Sequence, residues 1–397
     1  MSFQSSQTPS IGVELEMQLL DPFTKDLKAA SIPFLRKCRQ LKLSKIKSEI
    51  HQSMIEVESG ICSNAKQIRK DLSETLSHVH SIAHELGLSV ATSGTHPFQD
   101  WKEREFYPSS RYLFLYEKFR WLAQRMNIYG MHVHVGISSG DEAIALMNEA
   151  ARFLPHLLAL SASSPFWSSS ETGFHSCRYS MIETFPYAGI PPFFPNWDSY
   201  RTYCTTLLNN GAISSLKDLY WYIRPNWEYG TLEFRICDAS PMLSETIAIS
   251  AFIHCLVVWL GEREQAEQRT YEGQQSILWH LPHNLCNAAR DGLQTTIIVD
   301  NTGSTKKLKE DIEDMIDRLI PIAQRLDCLQ ELLDVRKIIE LGVSSVRQFQ
   351  VYEKTRSHAA VVEALIHECA YDEPVVLASK YVARPAKRSS RIPLISK

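Results

Sequence analysis

Four short stretches of this chain pair ionisable side chains two residues apart: Glu14 with Glu16, Glu56 with Glu58, His132 with His134, and Glu233 with Arg235. In each, the residue between them is apolar, and so is the one before. The longest is I-G-V-E-L-E-M-Q-L-L (Ile11–Leu20), where Ile11, Val13, Leu15, Met17 and Leu19 hold one parity and Glu14, Glu16 and Gln18 the other. Period two is the mark of a strand with one buried face, and residues two apart stand side by side on it. Neighbouring carboxylates repel unless something cationic lies between them.

If the four strands share a sheet, its polar face gathers Glu14, Glu16, Glu56, Glu58 and Glu233 against Arg235 and Arg224, the latter ending the preceding strand. Glu49, just upstream, adds to the anionic excess. One or two divalent cations would relieve it. Oxygen ligands with an occasional imidazole favour magnesium or manganese over zinc. A face of this kind suits a polyphosphate bridged by metal ions, with arginine on the phosphoryl oxygens. Any one pair by itself is at home on a solvated face, and His132 and His134 could be satisfied core histidines. Four such pairs in one chain argue for a site.

The elements that must position these residues follow from local pattern. Ser31–Leu41 reads as a short helix, Lys45–Ile50 and Met54–Glu58 as strands. Asn64 can cap a long helix whose apolar face is Ile68, Leu72, Leu76, Val79, Ala83 and Leu86. Leu88–Thr95 reads as a strand and Tyr112–Met126 as a helix whose aromatic rings are expected in the core. The strand Gly130–Gly136 is followed by a helix over Asp141–Leu160, then by a long ordered loop, Ser161–Asn196, rich in serine, proline and aromatic residues. Strands Asp218–Arg224 and Thr231–Asp238 come next. Ser240 and Pro241 are expected to start a helix, in the order of cap and first position. Gly261–Gln275 reads as a polar surface loop. Leu308, Ile312, Met315 and Leu319 form one apolar stripe, and Val361, Ala364 and Leu365 another.

Strands interspersed with helices, then helices stacked at the end, point to an α+β fold with a mostly antiparallel sheet. A single catalytic domain is expected over 1–370, with sheet and helices to about 300 and a helical part at 304–370. The basic stretch 371–397, with six lysines and arginines after Ser379, reads as a flexible tail.

Composition narrows the class. The chain has 397 residues and a formal charge of -3, which gives no reason to expect nucleic-acid binding. Nine cysteines stand singly without C-x-x-C, the usage of a reduced, intracellular protein. The first residues lack a signal-peptide pattern, and the apolar run Ile247–Leu260 is too short to span a bilayer. A cytoplasmic location away from membranes is expected. G-x-x-x-x-G-K-[ST], G-x-G-x-x-G and H-E-x-x-H are all absent.

Eight stretches, in order, resemble the carboxylate–amine ligase family related to type 2 glutamate–cysteine ligases, which share the catalytic fold of glutamine synthetase. They are G-V-E-L-E (Gly12–Glu16), Q-S-M-I-E (Gln52–Glu56), G-T-H-P-F (Gly94–Phe98), G-M-H-V-H-V-G (Gly130–Gly136), L-S-A-S-S-P (Leu160–Pro165), I-R-P (Ile223–Pro225), G-T-L-E-F-R-I-C-D (Gly230–Asp238) and A-A-R-D-G-L (Ala288–Leu293). The resemblance implies a concave sheet face that binds ATP and Mg2+ (or Mn2+), phosphorylation of a carboxylate such as that of glutamate, and attack by an amine, cysteine by default. By position, Glu14, Glu16, Glu49, Glu56, His132 and Glu233 would be the metal ligands. Arg235, with Arg224 and His134 beside it, would hold the nucleotide phosphates. Arg178 would hold the substrate carboxylate, and Arg235, Glu233 and Arg178 would form the catalytic set. A homo-oligomer is compatible with this reading.

The sequence departs from the resemblance at Glu58, at Asn226-Trp227-Glu228-Tyr229 and at Cys177 beside Arg178, all near the expected substrate. Three other functions compete: a phosphotransferase with a nitrogen acceptor on the same fold, a metal hydrolase built on His132 and His134, and a non-catalytic binding module. The intact set of Glu14, Glu16, Glu56, His132, Glu233 and Arg235 speaks against the last.

Overall fold

The computed structural model describes residues 2–6, 9–266 and 278–375. A seven-stranded antiparallel sheet organises them. Numbered within that sheet, its strands are β1 (Ile11–Leu20), β2 (Ile46–Ser48), β3 (Met54–Glu58), β4 (Ser89–Ala91), β5 (Met131–Gly136), β6 (Ile223–Asn226) and β7 (Thr231–Phe234). The order is β6-β7-β5-β1-β3-β2, with β4 pairing the far end of β1. β1 is central because it is long enough to serve three partners. Ile11–Leu15 pairs β5, Glu14–Gln18 pairs β3, and Gln18–Leu20 pairs β4.

The alternation in β1 holds as expected from Ile11 to Met17, odd positions buried and even positions half-buried. It ends at Gln18, which is buried and donates from Nε2 to Ser93 Oγ at 3.1 Å. One apolar cluster runs from Ile11 to Leu365 and joins the odd face of the sheet to the helices behind it. Helix Ala65–Glu85 has the expected cap, Asn64 Oδ1 accepting the Gln67 N–H at 3.1 Å, and buries Ile68, Leu72, Leu76, Val79 and Ala83. Helix Leu308–Arg325 buries the whole predicted stripe.

Several local expectations need correction. The strand read over Lys45–Ile50 is only Ile46–Ser48, so Glu49 stands just past its end. Only Ser89–Ala91 of Leu88–Thr95 is strand. Tyr112–Met126 is two helices, Ser110–Phe119 and Trp121–Gln124, broken at Arg120 with φ +51°. Phe114 and Trp121 are exposed, so not all the aromatic rings of this stretch are core. Asp141–Leu160 is likewise two helices joined by a 3-10 turn at Ala151–Phe153. Asp218–Arg224 contains the end of a 3-10 turn, a two-residue strand at Tyr220–Trp221, and the start of β6. Strand β7 stops at Phe234, so Arg235 follows it rather than lying within it.

The helix expected at Ser240-Pro241 starts at Leu243 and runs to Ala266. By length and composition this segment could cross a membrane, but 78% of its apolar window is buried inside the fold. It packs against helices Ala65–Glu85, Gly140–Ala150 and Leu329–Leu341, which explains an apolar surface all round. Its end occupies Gly261–Ala266, the first part of the expected polar loop; the remainder of that loop and the basic tail beyond Val375 lie outside the described residues. All nine cysteines are free thiols.

Candidate active site

Strand register brings the pairs together. Across β1 and β3, Glu14 faces Glu58 and Glu16 faces Glu56; across β1 and β5, Glu14 faces His132. Across β5 and β7, His134 faces Glu233, and across β6 and β7, Arg224 faces Glu233. The polar face of four neighbouring strands thus lines one cleft, together with Glu49, Arg178 and Arg235. Every sequence-predicted site residue is in it.

Three groups of donors have ligand atoms within 4.8 Å of one another: Glu14, His134 and Glu233; Glu14, Glu56 and His132; Glu16, Glu49 and Glu56. Glu14 belongs to two groups and Glu56 to two, so the groups form a continuous track. Glu14 Oε2 is 3.0 Å from His132 Nδ1 and Oε1 is 3.2 Å from His134 Nε2. Burial opposes ionisation of Glu14, but the two imidazoles outweigh it and hold its pKa well below the usual carboxylate range. The contact of His132 Nδ1 with Glu14 fixes the orientation of the imidazole ring.

The other end of the track is under-compensated. Burial, then the charge of Glu16, pushes the Glu49 carboxyl up to about 8. Glu56 is raised well above its ordinary value by burial and by Glu49, Glu14, Glu16 and Glu58. Crowded carboxylates that resist ionising together are what a divalent cation would relieve. The donor set, five carboxylates and imidazoles at hand, fits a hard, oxygen-preferring ion.

The cations are not equivalent. Arg224 is forked onto Glu233, Nε to Oε2 at 2.9 Å and Nη2 to Oε1 at 3.3 Å, while its Nη1 reaches the carbonyls of Leu216 and Leu219. It orients Glu233 and keeps its carboxylate ionised despite complete burial. Arg235 reaches Glu233 Oε1 with Nη1. Arg178 is 4% exposed; its Nη1 and Nη2 donate to the carbonyls of Ile236 and Arg235, and it lies 3.7 Å from Asp238 Oδ1. Gly130 makes room for it, since a Cβ there would lie 2.4 Å from Arg178 Nη2. Asp238 is itself a hub, accepting from Ser163 N–H and from the hydroxyls of Ser164 and Ser176. The L-S-A-S-S-P stretch therefore anchors the chain that carries Arg235.

Sequence reasoning missed Lys47, Arg111, Tyr112 and Lys217, which also line the cleft; Tyr229, expected near the substrate, lines it too. Lys47 pairs with Glu58, so the acidic departure at position 58 is compensated locally and the free anionic excess is smaller than the count from strands alone. The alternation of Lys47 and Glu49 held that signal. Nothing local marked Arg111 or Lys217, which arrive from a helix and a 3-10 turn.

Comparison with known proteins finds similarity along most of the chain. The family description "Glutamate-cysteine ligase family 2(GCS2)" matches residues 10–367. A protein of Thermobifida fusca named "Putative glutamate--cysteine ligase 2" is 37% identical over 98% of this chain and 97% of its own length. One of the same name from Gloeobacter violaceus is 38% identical over 91% and 97%. The fold is similar to a crystal structure of a glutamate–cysteine ligase from Francisella tularensis in complex with AMP, with TM-score 0.66, 13% identity, and coverage of 94% of this chain and 91% of that one. A bifunctional glutathione synthetase from Pasteurella multocida gives TM-score 0.67 at 13% identity, over 91% of this chain and 52% of that one.

Proposed function

The chain belongs to glutamate–cysteine ligase family 2, and from that premise we propose that it is an ATP-dependent carbon–nitrogen ligase forming a γ-glutamyl amide, γ-glutamylcysteine by default, in the cytoplasm. The observation that carries the reading is the continuous track of Glu14, Glu16, Glu49, Glu56, His132, His134 and Glu233, with Arg235 at its edge. The AMP bound to the Francisella tularensis protein of the same fold supports nucleotide use.

The chemistry proceeds in two displacements. A glutamate carboxylate oxygen attacks the γ-phosphorus of ATP and ADP leaves, which replaces a poor leaving group on the acyl carbon by phosphate. The amine nitrogen then attacks that carbon, phosphate departs, and the amine loses its proton. Glu14, Glu16, Glu49, Glu56, His132 and Glu233 would hold magnesium, or manganese, which supplies charge neutralisation to the phosphates. Arg235 presents a planar fork to phosphoryl oxygens, exchanging part of its contact with Glu233 for substrate. Arg224 and His134 keep Glu233 and Glu14 ionised and oriented beside the nucleotide. Arg178 fixes the main chain at Arg235 and Ile236, and so sets where that fork points. No protein nucleophile is needed, in keeping with a cleft whose lining, among the described residues, has no cysteine and no serine hydroxyl bonded to a histidine.

The test is a panel of amines incubated with ATP, magnesium and glutamate. Phosphate release that depends on both glutamate and one amine, with a γ-glutamyl product by mass, is the expected result. ADP formed without phosphate release would instead indicate transfer of the phosphoryl group to a nitrogen acceptor. Turnover that ignores ATP would point to hydrolysis.

A further inference from the structure

A second cavity, of about 370 Å3, opens from the catalytic cleft beside the first half of β1. The two share Glu14, Glu58, His134, Glu228 and Tyr229, so one continues into the other where Glu14, His134 and Glu233 converge. That is the end of the track at which Arg224 and Arg235 meet Glu233. Phosphates held there would leave the rest of a nucleotide beside the second cavity.

The floor of the cavity is Gly12. It sits inside β1, opposite His134 and on the parity of Glu14. Glycine weakens a strand interior, and there it often marks the close approach of another backbone or of a ligand. No backbone needs the room here. An added Cβ would find nothing nearer than the Gly60 carbonyl oxygen and Ser59 Oγ, both at 3.8 Å, and the φ of Gly12 is not in the left-handed region. The protein's own packing and dihedrals would accept a side chain at position 12, yet the space is left open.

The flanks are apolar and exposed. Strand order places Tyr229, just before β7, on one side of Gly12 and Ile61, just after β3, on the other. Ile61 is 90% exposed and Tyr229 59%. The Tyr229 ring stands edge-on to that of His134, with centroids 6.0 Å apart, and so reaches over β5 toward the floor. Residues 2–6 close the rim: the Gln4 N–H donates to the Trp227 carbonyl and the Ser6 N–H to the Ile137 carbonyl, each at 3.0 Å. Gly230, at φ +65°, lets them pass, since a Cβ there would overlap the Gln4 carbonyl oxygen. A bare floor between two exposed apolar side chains, one of them aromatic, is a slot for a flat ring.

We propose that Gly12, Ile61 and Tyr229 are specificity-determining residues that seat the base of the nucleotide in this slot, Gly12 through the side chain it lacks. The proposal rests on the nucleotide reading given above and adds to it which residues of this chain recognise the base. Tyr229 lies in the Asn226–Tyr229 stretch that departs from the family resemblance, so the stacking ring is a feature of this chain.

Calorimetric titration of the full chain with magnesium, without glutamate or amine, tests it. The probes are the β,γ-imido analogue of ATP and inorganic triphosphate, which offers phosphates without a base. The native protein should bind the nucleotide more tightly than triphosphate. Tyr229→Ala and Gly12→Val should each weaken the nucleotide about tenfold, the worth of one stacked face, and leave triphosphate unchanged. Tyr229→Phe, which keeps the ring, should bind like the native protein, and Ile61→Ala should show a smaller loss than Tyr229→Ala. Gly12→Val should melt no earlier than the native protein, because a β-branched residue suits a strand. Gly12→Ala, for which the room is present, should weaken the nucleotide in the same direction and serves if the larger side chain disturbs folding. Equal loss for nucleotide and triphosphate, or no loss in the Gly12 and Tyr229→Ala variants, overturns the slot and leaves the nucleotide reading standing. Binding of neither probe by the native protein overturns the nucleotide reading, and the slot with it.

Discussion

Arg178 Nη2 donates to the main-chain carbonyl of Arg235 at 3.2 Å, and Arg178 Nη1 to the next carbonyl, of Ile236, at 3.1 Å. One buried guanidinium thus clamps the backbone just after β7 ends, between the main-chain bonds of Arg235 N–H to Tyr222 and of Met131 N–H to Cys237. The clamp relates two arginines that the sequence places 57 residues apart, and it separates their roles: Arg178 fixes the position from which Arg235 acts.

Arg178→Lys should therefore lower thermal stability and kcat together. An ammonium cannot span both carbonyls and Asp238, and a buried partner left unpaired costs roughly 3–5 kcal/mol. The KM for glutamate should change less than kcat. A variant with native melting temperature and only a raised glutamate KM would show instead that Arg178 binds the substrate carboxylate directly.

Arg235→Lys keeps the charge beside Glu233 and loses the planar fork. Turnover should fall by at least about tenfold, the cost of one charge-assisted hydrogen bond in the transition state, while the fold is maintained. A near-native rate would mean that Arg235 serves only to balance Glu233.

Glu16 faces Glu56 across the strand pair, so neutralising either relieves repulsion. Glu16→Gln should leave the metal-free melting temperature unchanged or higher, yet reduce turnover by orders of magnitude. Mg-ATP should raise the melting temperature of the native protein far more than that of the variant, by linkage. Earlier melting with turnover retained would make this strand purely structural.

Activity should vanish on chelation and return with magnesium or manganese but not with zinc, since the track is mainly carboxylate. Full turnover by metal-stripped protein would falsify the metal assignment.

Acid sensitivity should come partly from buried histidines. Burial lowers His51, His96, His175 and His254 each to about 4. His96 shows why: Nε2 lies 2.8 Å from the Lys25 carbonyl and Nδ1 accepts the Gln99 N–H at 3.1 Å, a pairing that only the neutral ring can make. Between the unfolded value near 6.5 and the folded value, the unfolded chain binds more protons. These groups therefore lend stability that is full above that window and lost as pH falls through it. His96→Gln should be less stable at neutral pH but show a shallower loss from pH 6.5 to 4 in denaturant titrations. Parallel pH curves for the two proteins would rule the contribution out.

What the sequence determined by itself was the face each ionisable residue takes. Strand parity is a property of the local backbone, so Glu14 with Glu16, Glu56 with Glu58, His132 with His134, and the cap at Asn64 were legible from spacing alone. The order of the motifs then identified the family. Tertiary structure decided which pairs meet: that Glu16 opposes Glu56 and Glu14 lies between Glu58 and His132 follows from register, set by packing of the odd face on the helices behind it. It also decided which charges are free. Lys47, Arg224 and Arg178 look alike in sequence, but one neutralises Glu58, one orients Glu233 and one clamps backbone. Hydrogen-bond partners brought from distant segments make that distinction, and no local pattern encodes them. The end of β7 before Arg235 and the late start of helix Leu243–Ala266 have the same origin, since both depend on contacts with Tyr222, Tyr129 and neighbouring helices rather than on propensity.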